Sequence, residues 1–364
     1  MFLVDDYQSP YAGTEKQLDM LVRGLKERSF QPGLTLLRAS KYINDHGFPC
    51  PVEVLDIRKL ARPGAIVTMY RFAKTLKSRG YGLVHIFFND ASIIAPVFLS
   101  CFGIKVIISR RDMGFWYSTF SRILLRINSF FVDAAITNCN AVRQITHENE
   151  LIALEDIRVI YNGYMETRQD TVIEARESSL PFPAGGSTVI GLIANIRPIK
   201  KIDVLIDAFA LVKQKYRDVV LVIVGGGDPS PLLQQAKKAG VDADIHFLGV
   251  RDDIGHLLSF LDIGVLCSES EGFSNTLVEY VHAGVPVVCT DVGGNPEIIR
   301  HKDTGILVPP NNATELAAGI CQLLADPEMA GSMADKARSE ISRMCDFNSM
   351  IDNHIRLYDE VSKR

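Results

Sequence analysis

Ser-Glu-Ser-Glu-Gly-Phe-Ser-Asn-Thr-Leu-Val-Glu-Tyr-Val-His-Ala-Gly-Val-Pro-Val-Val, residues 268–288, carries the chain's most informative pattern of carboxylates, glycines and helical spacing. Its two carboxylates, Glu271 and Glu279, have seven residues between them. Gly272 permits a tight turn, Ser274 or Asn275 suits an N-cap, and Leu277, Val278 and Val281 fall at helical spacing. Glu271 is thus expected just before a helix and Glu279 inside it. A helix start presents unpaired backbone N–H groups and a partial positive charge, which suit a phosphate or a diphosphate. The flanking carboxylates are then better placed to accept hydrogen bonds from hydroxyls than to hold the anion. A sugar joined to a nucleoside through a diphosphate carries hydroxyls at both ends. A plain helix with a solvated Glu279 and a loop Glu271 fits the same spacing.

Outward from this stretch, apolar runs alternate with helical periodicity. Strands are expected at 263–267 and 285–290, and earlier at 188–194, 219–224 and 245–248. Arg197, Lys200 and Lys201 crowd the exit of the strand at 188–194, a pattern suited to a polyphosphate or to solvated loop cations. Gly225-Gly226-Gly227 ends another strand, but no complete G-x-G-x-x-G follows, which weakens a dinucleotide-oxidoreductase reading.

The first half repeats the alternation. A very short run at 1–4 leads through Tyr11-Ala12-Gly13-Thr14-Glu15 to a helix carrying Leu18, Leu21, Val22 and Leu25. Strands are expected at 33–37, 52–55, 83–88, 106–109 and 134–137, with helices at 66–77 and 92–101. Strand–helix alternation implies a doubly wound parallel sheet, whose ligands gather at the carboxyl ends of strands. That rule draws attention to Asn89-Asp90, Asn138 and Arg110-Arg111-Asp112; the last also reads as a salt-bridged turn. Residues 117–131 show a wide apolar face (Phe120, Ile123, Leu124, Ile127, Phe130, Phe131) with Arg122 and Arg126 elsewhere. Such a helix either packs on its sheet or lies on a membrane surface.

Composition sets outer limits. The 364 residues are 47% hydrophobic and 23% charged with net charge −4, enough for two α/β domains and unlike a nucleic-acid binder. Seven scattered cysteines without C-x-x-C spacing argue for a reducing, cytoplasmic setting and against a zinc site. The polar, then Pro- and Gly-rich stretch at 168–187 reads as a linker between a first domain, 1–167, and a second, 188–345. Residues 346–364 form a terminal amphipathic helix.

Glu-Gly-Phe-Ser-Asn-Thr-Leu-Val-Glu at 271–279, Ala-Gly-Val-Pro-Val-Val at 283–288 and Gly-Gly-Asn-Pro-Glu-Ile-Ile at 293–299 closely resemble the signature of retaining glycosyltransferases of GT-B type, group 1 (family 4). The resemblance implies two Rossmann-like doubly wound domains, with the C-terminal helix crossing back to the first. It implies that a nucleoside-diphosphate sugar, by family frequency a UDP-linked hexose or N-acetylhexosamine, lodges between them. Lys200 matches the family's diphosphate-binding lysine; Asn195 stands where an arginine is common, and Arg197 is a displaced substitute. Glu279 would hold the ribose hydroxyls and Glu271 those of the sugar. Gly272, Phe273 and the amides of Ser274, Asn275 and Thr276 would line the diphosphate, with Gly226 beside the donor pocket and Val250 and Arg251 under the base. From the first domain, Gly13 and Thr14 occupy the place of a Gly-Gly-x-Glu donor loop. Arg111 stands where the family often has a histidine near the acceptor; it can pair with an anion but cannot act as a base. The reaction so implied needs no metal and no cofactor, and transfers sugar to a glycan, lipid-linked or small-molecule hydroxyl, as in cell-surface polysaccharide synthesis. A glycoside hydrolase, a sugar-nucleotide epimerase of the same fold and a non-catalytic sugar-nucleotide binder are the other readings.

Overall fold

The structure, a computed structural model, describes residues 1–10, 13–165 and 186–364. Tyr11 and Ala12 of the glycine-bearing loop lie outside the described residues, as does the expected linker apart from Gly186 and Ser187. Two units emerge, one of residues 1–163 with 347–364 and one of residues 164–346.

In the first unit the order is β1 (Phe2–Val4), α1 (Gly13–Glu27), β2 (Leu34–Leu36), α2 (Lys41–His46), β3 (Val52–Val54), α3 (Pro63–Ser78), β4 (Leu83–Ile86), α4 (Asn89–Cys101), β5 (Lys105–Arg110), α5 (Thr119–Asn128), β6 (Ala134–Thr137), α6 (Asn140–Glu150) and β7 (Ile157–Val159). The strands form one parallel sheet in the order β3-β2-β1-β4-β5-β6-β7. The three-residue β1, short by ordinary standards, sits within the sheet between β2 and β4 and is fully buried. Strand β7 was not expected from the sequence; it pairs with β6 through a run too short to show a period.

The second unit runs β8 (Thr188–Ile193), α7 (Ile202–Lys213), β9 (Val219–Val224), α8 (Ser230–Ala239), β10 (Ile245–Gly249), α9 (Ile254–Leu258), β11 (Ile263–Leu266), α10 (Asn275–His282), β12 (Val287–Thr290), α11 (Asn295–Ile298), β13 (Ile306–Val308), α12 (Ala313–Ala325) and α13 (Pro327–Met344). Its parallel sheet has the order β10-β9-β8-β11-β12-β13. Strand β9, Val-Val-Leu-Val-Ile-Val, is buried along its whole length, as a strand covered on both faces must be. Helix α13 is set by Asp326, whose side chain accepts from the Met329 amide, and by Pro327 in the first turn.

The last helix, α14 (Phe347–Lys363), packs with the first unit: Phe347, Met350, Ile351, Leu357 and Val361 join the core built by α1, β1 and β2. The fit is close, since a Cβ at Gly24 of α1 would lie 2.5 Å from the Ile351 side chain. On the opposite face of this sheet α3 and α4 cover Leu3, Val84, Ile86, Val106 and Ile108.

Candidate active site

In each sheet the strand order reverses once, between β1 and β4 in the first unit and between β8 and β11 in the second. The carboxyl edge at such a reversal is where doubly wound sheets leave a crevice for ligands. In the first unit the position is filled from within. Asp5, just beyond β1, accepts from the amides of Asn89, Asp90 and Ala91 at the start of α4, at 3.2, 3.0 and 2.7 Å. Arg38 stands between Asp5, Asp6 and Asp90. Burial raises the Asp5 pKa to about 6, although the amides and Arg38 favour the charged form. This helix start already holds an anion of the chain's own.

In the second unit the loops leaving β8 and β11 meet. Lys200 ends a single 3-10 turn, Pro198–Lys200, and its Nζ donates to Glu271 Oε1 at 2.6 Å. Ser268, fully buried, donates its Oγ to the same Oε1 at 2.6 Å, so neither of these bonds uses Glu271 Oε2. The two loops are also joined through backbone: the Glu269 amide donates to Ile199 O at 2.9 Å, and Cys267 Sγ donates to Lys200 O at 3.1 Å. Burial pushes that thiol up to about 12, so it stays protonated and keeps donating.

Helix α10 opens beside this pair. Ser274 is its N-cap, with Oγ accepting from the Leu277 amide at 3.4 Å. Its first turn is anchored to the end of β8, because Thr276 Oγ1 donates to Ile193 O at 3.2 Å. One turn on, buried Tyr280 accepts from the Ile193 amide at 2.9 Å and donates to Gly191 O at 3.1 Å. Phe273 is buried, and Gly272 O accepts from the Gly294 amide at 2.9 Å, tying the loop to the turn before α11. Glu279 lies half-buried within α10, as expected.

A second cluster gathers at the ends of β8, β9 and β10. Asn195 Oδ1 accepts from the Gly226 amide at 2.9 Å, the Ile196 amide donates to Gly226 O at 2.7 Å, and the Gly225 amide donates to Gly249 O at 2.8 Å. The Gly226 N–H is therefore engaged by Asn195. Val250 lies beside Gly226 and is strongly exposed. Arg251 is committed to a two-pronged ion pair with Asp253 at 2.8 and 2.7 Å, which leaves its backbone for any contact with a base.

Four more residues expected from the sequence are Arg197, Gly13, Thr14 and Arg111. Arg197 is exposed and takes no part in the Lys200–Glu271–Ser268 contacts. Gly13 and Thr14 belong to the first unit and form the opening residues of α1 itself. Arg111, also in the first unit, donates to Asn162 Oδ1, lies 6.0 Å from the Phe87 ring centroid and has its pKa held down to about 10 by burial. Its neighbour Arg110 is the salt-bridged one, pairing with Glu150 through two nitrogens at 2.6 and 3.0 Å. Sequence reasoning passed over Ser268 as a site residue and did not see that Asn195 closes a turn. A serine three residues before Glu271 was the available signal for the first; the second had none.

The crystal structure of the Anabaena protein HepE in complex with UDP shares this architecture at a TM-score of 0.82, with 22% identity over 99% of both chains. The two doubly wound units are thus those of a GT-B fold. Residues 177–340 match the family model described as Glycosyl transferases group 1, in the half that carries the specific motifs. The N-acetyl-alpha-D-glucosaminyl L-malate synthase of Bacillus anthracis is 29% identical over 210 residues, 57% of this chain and 54% of that protein. The phosphatidyl-myo-inositol mannosyltransferase of Mycobacterium leprae is 33% identical over 184 residues, 50% of this chain and 48% of that one. The chain spans about half the length of the curated relatives it matches.

Proposed function

We propose that this protein is a glycosyltransferase that takes a sugar from a nucleoside-diphosphate donor, UDP-linked in the first instance, and passes it with retention to an acceptor hydroxyl. The observation that carries the reading is the meeting of Lys200 and Glu271, from loops 71 residues apart, beside the start of α10. A cation, a carboxylate and a helix N-terminus at one switch point match a diphosphate flanked by sugar hydroxyls. The HepE complex with UDP, and group 1 relatives whose names describe sugar transfer, support the same donor class.

In the proposed reaction the bond between the anomeric carbon and the donor phosphate oxygen breaks, and its electron pair stays on the phosphate. Lys200, with the amides opening α10, stabilises that charge, and Arg197 is a secondary cation. The acceptor oxygen bonds to the anomeric carbon on the face being vacated, and its proton passes to the leaving phosphate. Glu271 orients the sugar through its hydroxyls, and Glu279 holds the ribose. No metal is assigned a step, because Lys200 and the helix start already supply positive charge at the diphosphate. Arg111, a cation with no carboxylate at ion-pair distance among the described residues, suits an acidic group on the acceptor. The test is twofold. UDP-, GDP- and ADP-sugars are compared for thermal stabilisation, and nucleoside diphosphate release is measured with and without an acceptor panel. Donor binding with acceptor-dependent release is expected. Acceptor-independent turnover would assign an epimerase or hydrolase, and binding without release under any acceptor would assign a binding protein.

A further inference from the structure

Helix α5 is mounted with its polar side inward. Its buried residues are Ser121, Leu125 and Asn128, and Asn128 Nδ2 donates to the carbonyls of Ser92 and Ile93 on α4 at 3.1 and 2.7 Å. Leu125 is buried with Ser121 and Asn128, while Phe120, Ile123 and Ile127 face out. Phe120 is 71% exposed and Phe130, in the 3-10 turn that follows, 87%, with Ile123 and Ile127 between them also exposed. Ile127 and Phe130 border a groove of about 430 Å³ that reaches Leu151, itself exposed. Burial against the sheet is thus not what this apolar stripe is for.

Helix α3 shows the same habit with charge added. Ile66, Val67 and Tyr70 are exposed along it, and Tyr70 rests on Phe102 at 5.3 Å between ring centroids. Arg62, Arg71, Lys74 and Lys77 are exposed around them, and among the described residues none makes an ion pair. Both α3 and α5 pack against α4. Residues 57–132, which include all three helices, hold 12 Lys and Arg against two Asp and Glu, in a chain that has 39 against 43 overall. Near Leu151 the charge is mixed. Arg126 donates to the carbonyls of Glu148 and Asn149, and Asp156 pairs with Arg364.

We propose that this surface docks the first unit on an anionic lipid bilayer, with the apolar side chains of α5, the turn after it and α3 entering the headgroup boundary and the α3 cations meeting lipid phosphates. Outward apolar residues bordered by unpaired cations are the pattern of an interfacial helix. Charge complementarity selects the bilayer over a second copy, because a symmetric self-contact would press the two cationic patches together. Among the described residues no helix is long and apolar enough to cross a membrane, so contact by these helices would be made from one side. The inference stands apart from the transfer reading, since it involves neither donor nor acceptor.

The experiment is co-sedimentation of the full chain with vesicles of phosphatidylcholine alone or with about a third phosphatidylglycerol, across salt concentrations. Each cation near an anionic surface multiplies partitioning about five-fold. Binding is expected only to the anionic vesicles, and is expected to fall as salt rises. The variant R71E/K74E is expected to lower partitioning at least about 25-fold, and F120S/I123S/I127S/F130S about 100-fold or more. All six positions are exposed, and the two variants lie on separate segments, so loss of fold in one leaves the other to decide. Equal binding to neutral vesicles, no binding to either, or full binding by a folded variant overturns the proposal. So does a solution dimer that the apolar variant abolishes, which would give the face to a second copy.

Discussion

Replacing Lys200 by Met removes the ammonium while keeping most of the side chain's volume. The 3-10 turn carrying it is held by other atoms, namely Cys267 Sγ on Lys200 O and the Glu269 amide on Ile199 O, so the backbone should stay in place. The pair with Glu271 is partly solvated, with side-chain exposures of 24% and 12%, and Glu271 keeps its bond from Ser268. The cost to stability is accordingly about 1 kcal/mol. The cost to turnover is larger, because a fixed donor to charge developing on a leaving group is worth about 2.7–4 kcal/mol, or about 100- to 1,000-fold in rate. Steady-state kinetics of nucleoside diphosphate release should show kcat falling by that factor and donor KM moving by no more than about three-fold. Combining Lys200→Met with Glu271→Gln should cost less than the product of the two single effects, since the residues share one contact. A Lys200→Met enzyme that turns over within about five-fold of the unaltered protein, or that changes KM alone, would refute the assignment of Lys200 to the leaving group.

Asn195→Asp keeps an acceptor for the Gly226 amide but adds a negative charge near the proposed diphosphate; donor affinity by calorimetry should weaken about ten-fold with little change in melting temperature. Gly225→Ala places a Cβ 2.1 Å from Ala194 O at a φ of +148°, and thermal unfolding should report a loss of about 3 kcal/mol or more. His354, buried with Nδ1 donating to Met350 O, has its pKa lowered by burial from 6.5 to about 4, and His85 is lowered in the same direction. The unfolded chain therefore binds more protons between these values, and stability is complete above about pH 6.5 and falls as pH drops toward 4. The His354 contribution to that fall is about 3 kcal/mol, and His354→Phe should flatten the acid limb of a melting-temperature profile by a corresponding amount.

Local pattern carried much of this protein. The alternation of β-branched runs with helical periodicity, the Ser274 cap and the placing of Glu271 before α10 and Glu279 within it were all legible, because each depends on residues within about a turn of one another. What the chain could not reveal locally is what its sheets bring together. Lys200 and Glu271 are 71 positions apart and meet because β8 and β11 are neighbours where the strand order reverses. Asn195, read as a departure from an expected arginine, proves to close the turn at Gly226, a partner 31 residues away. The stripe on α5 was visible as a stripe, but periodicity is blind to which side of a helix meets the core. That was decided by Asn128, which satisfies the α4 carbonyls of Ser92 and Ile93 and so turns Phe120, Ile123 and Ile127 outward. A side chain's period is a property of its own helix, whereas its direction is set by the polar groups of other elements that must be satisfied on burial.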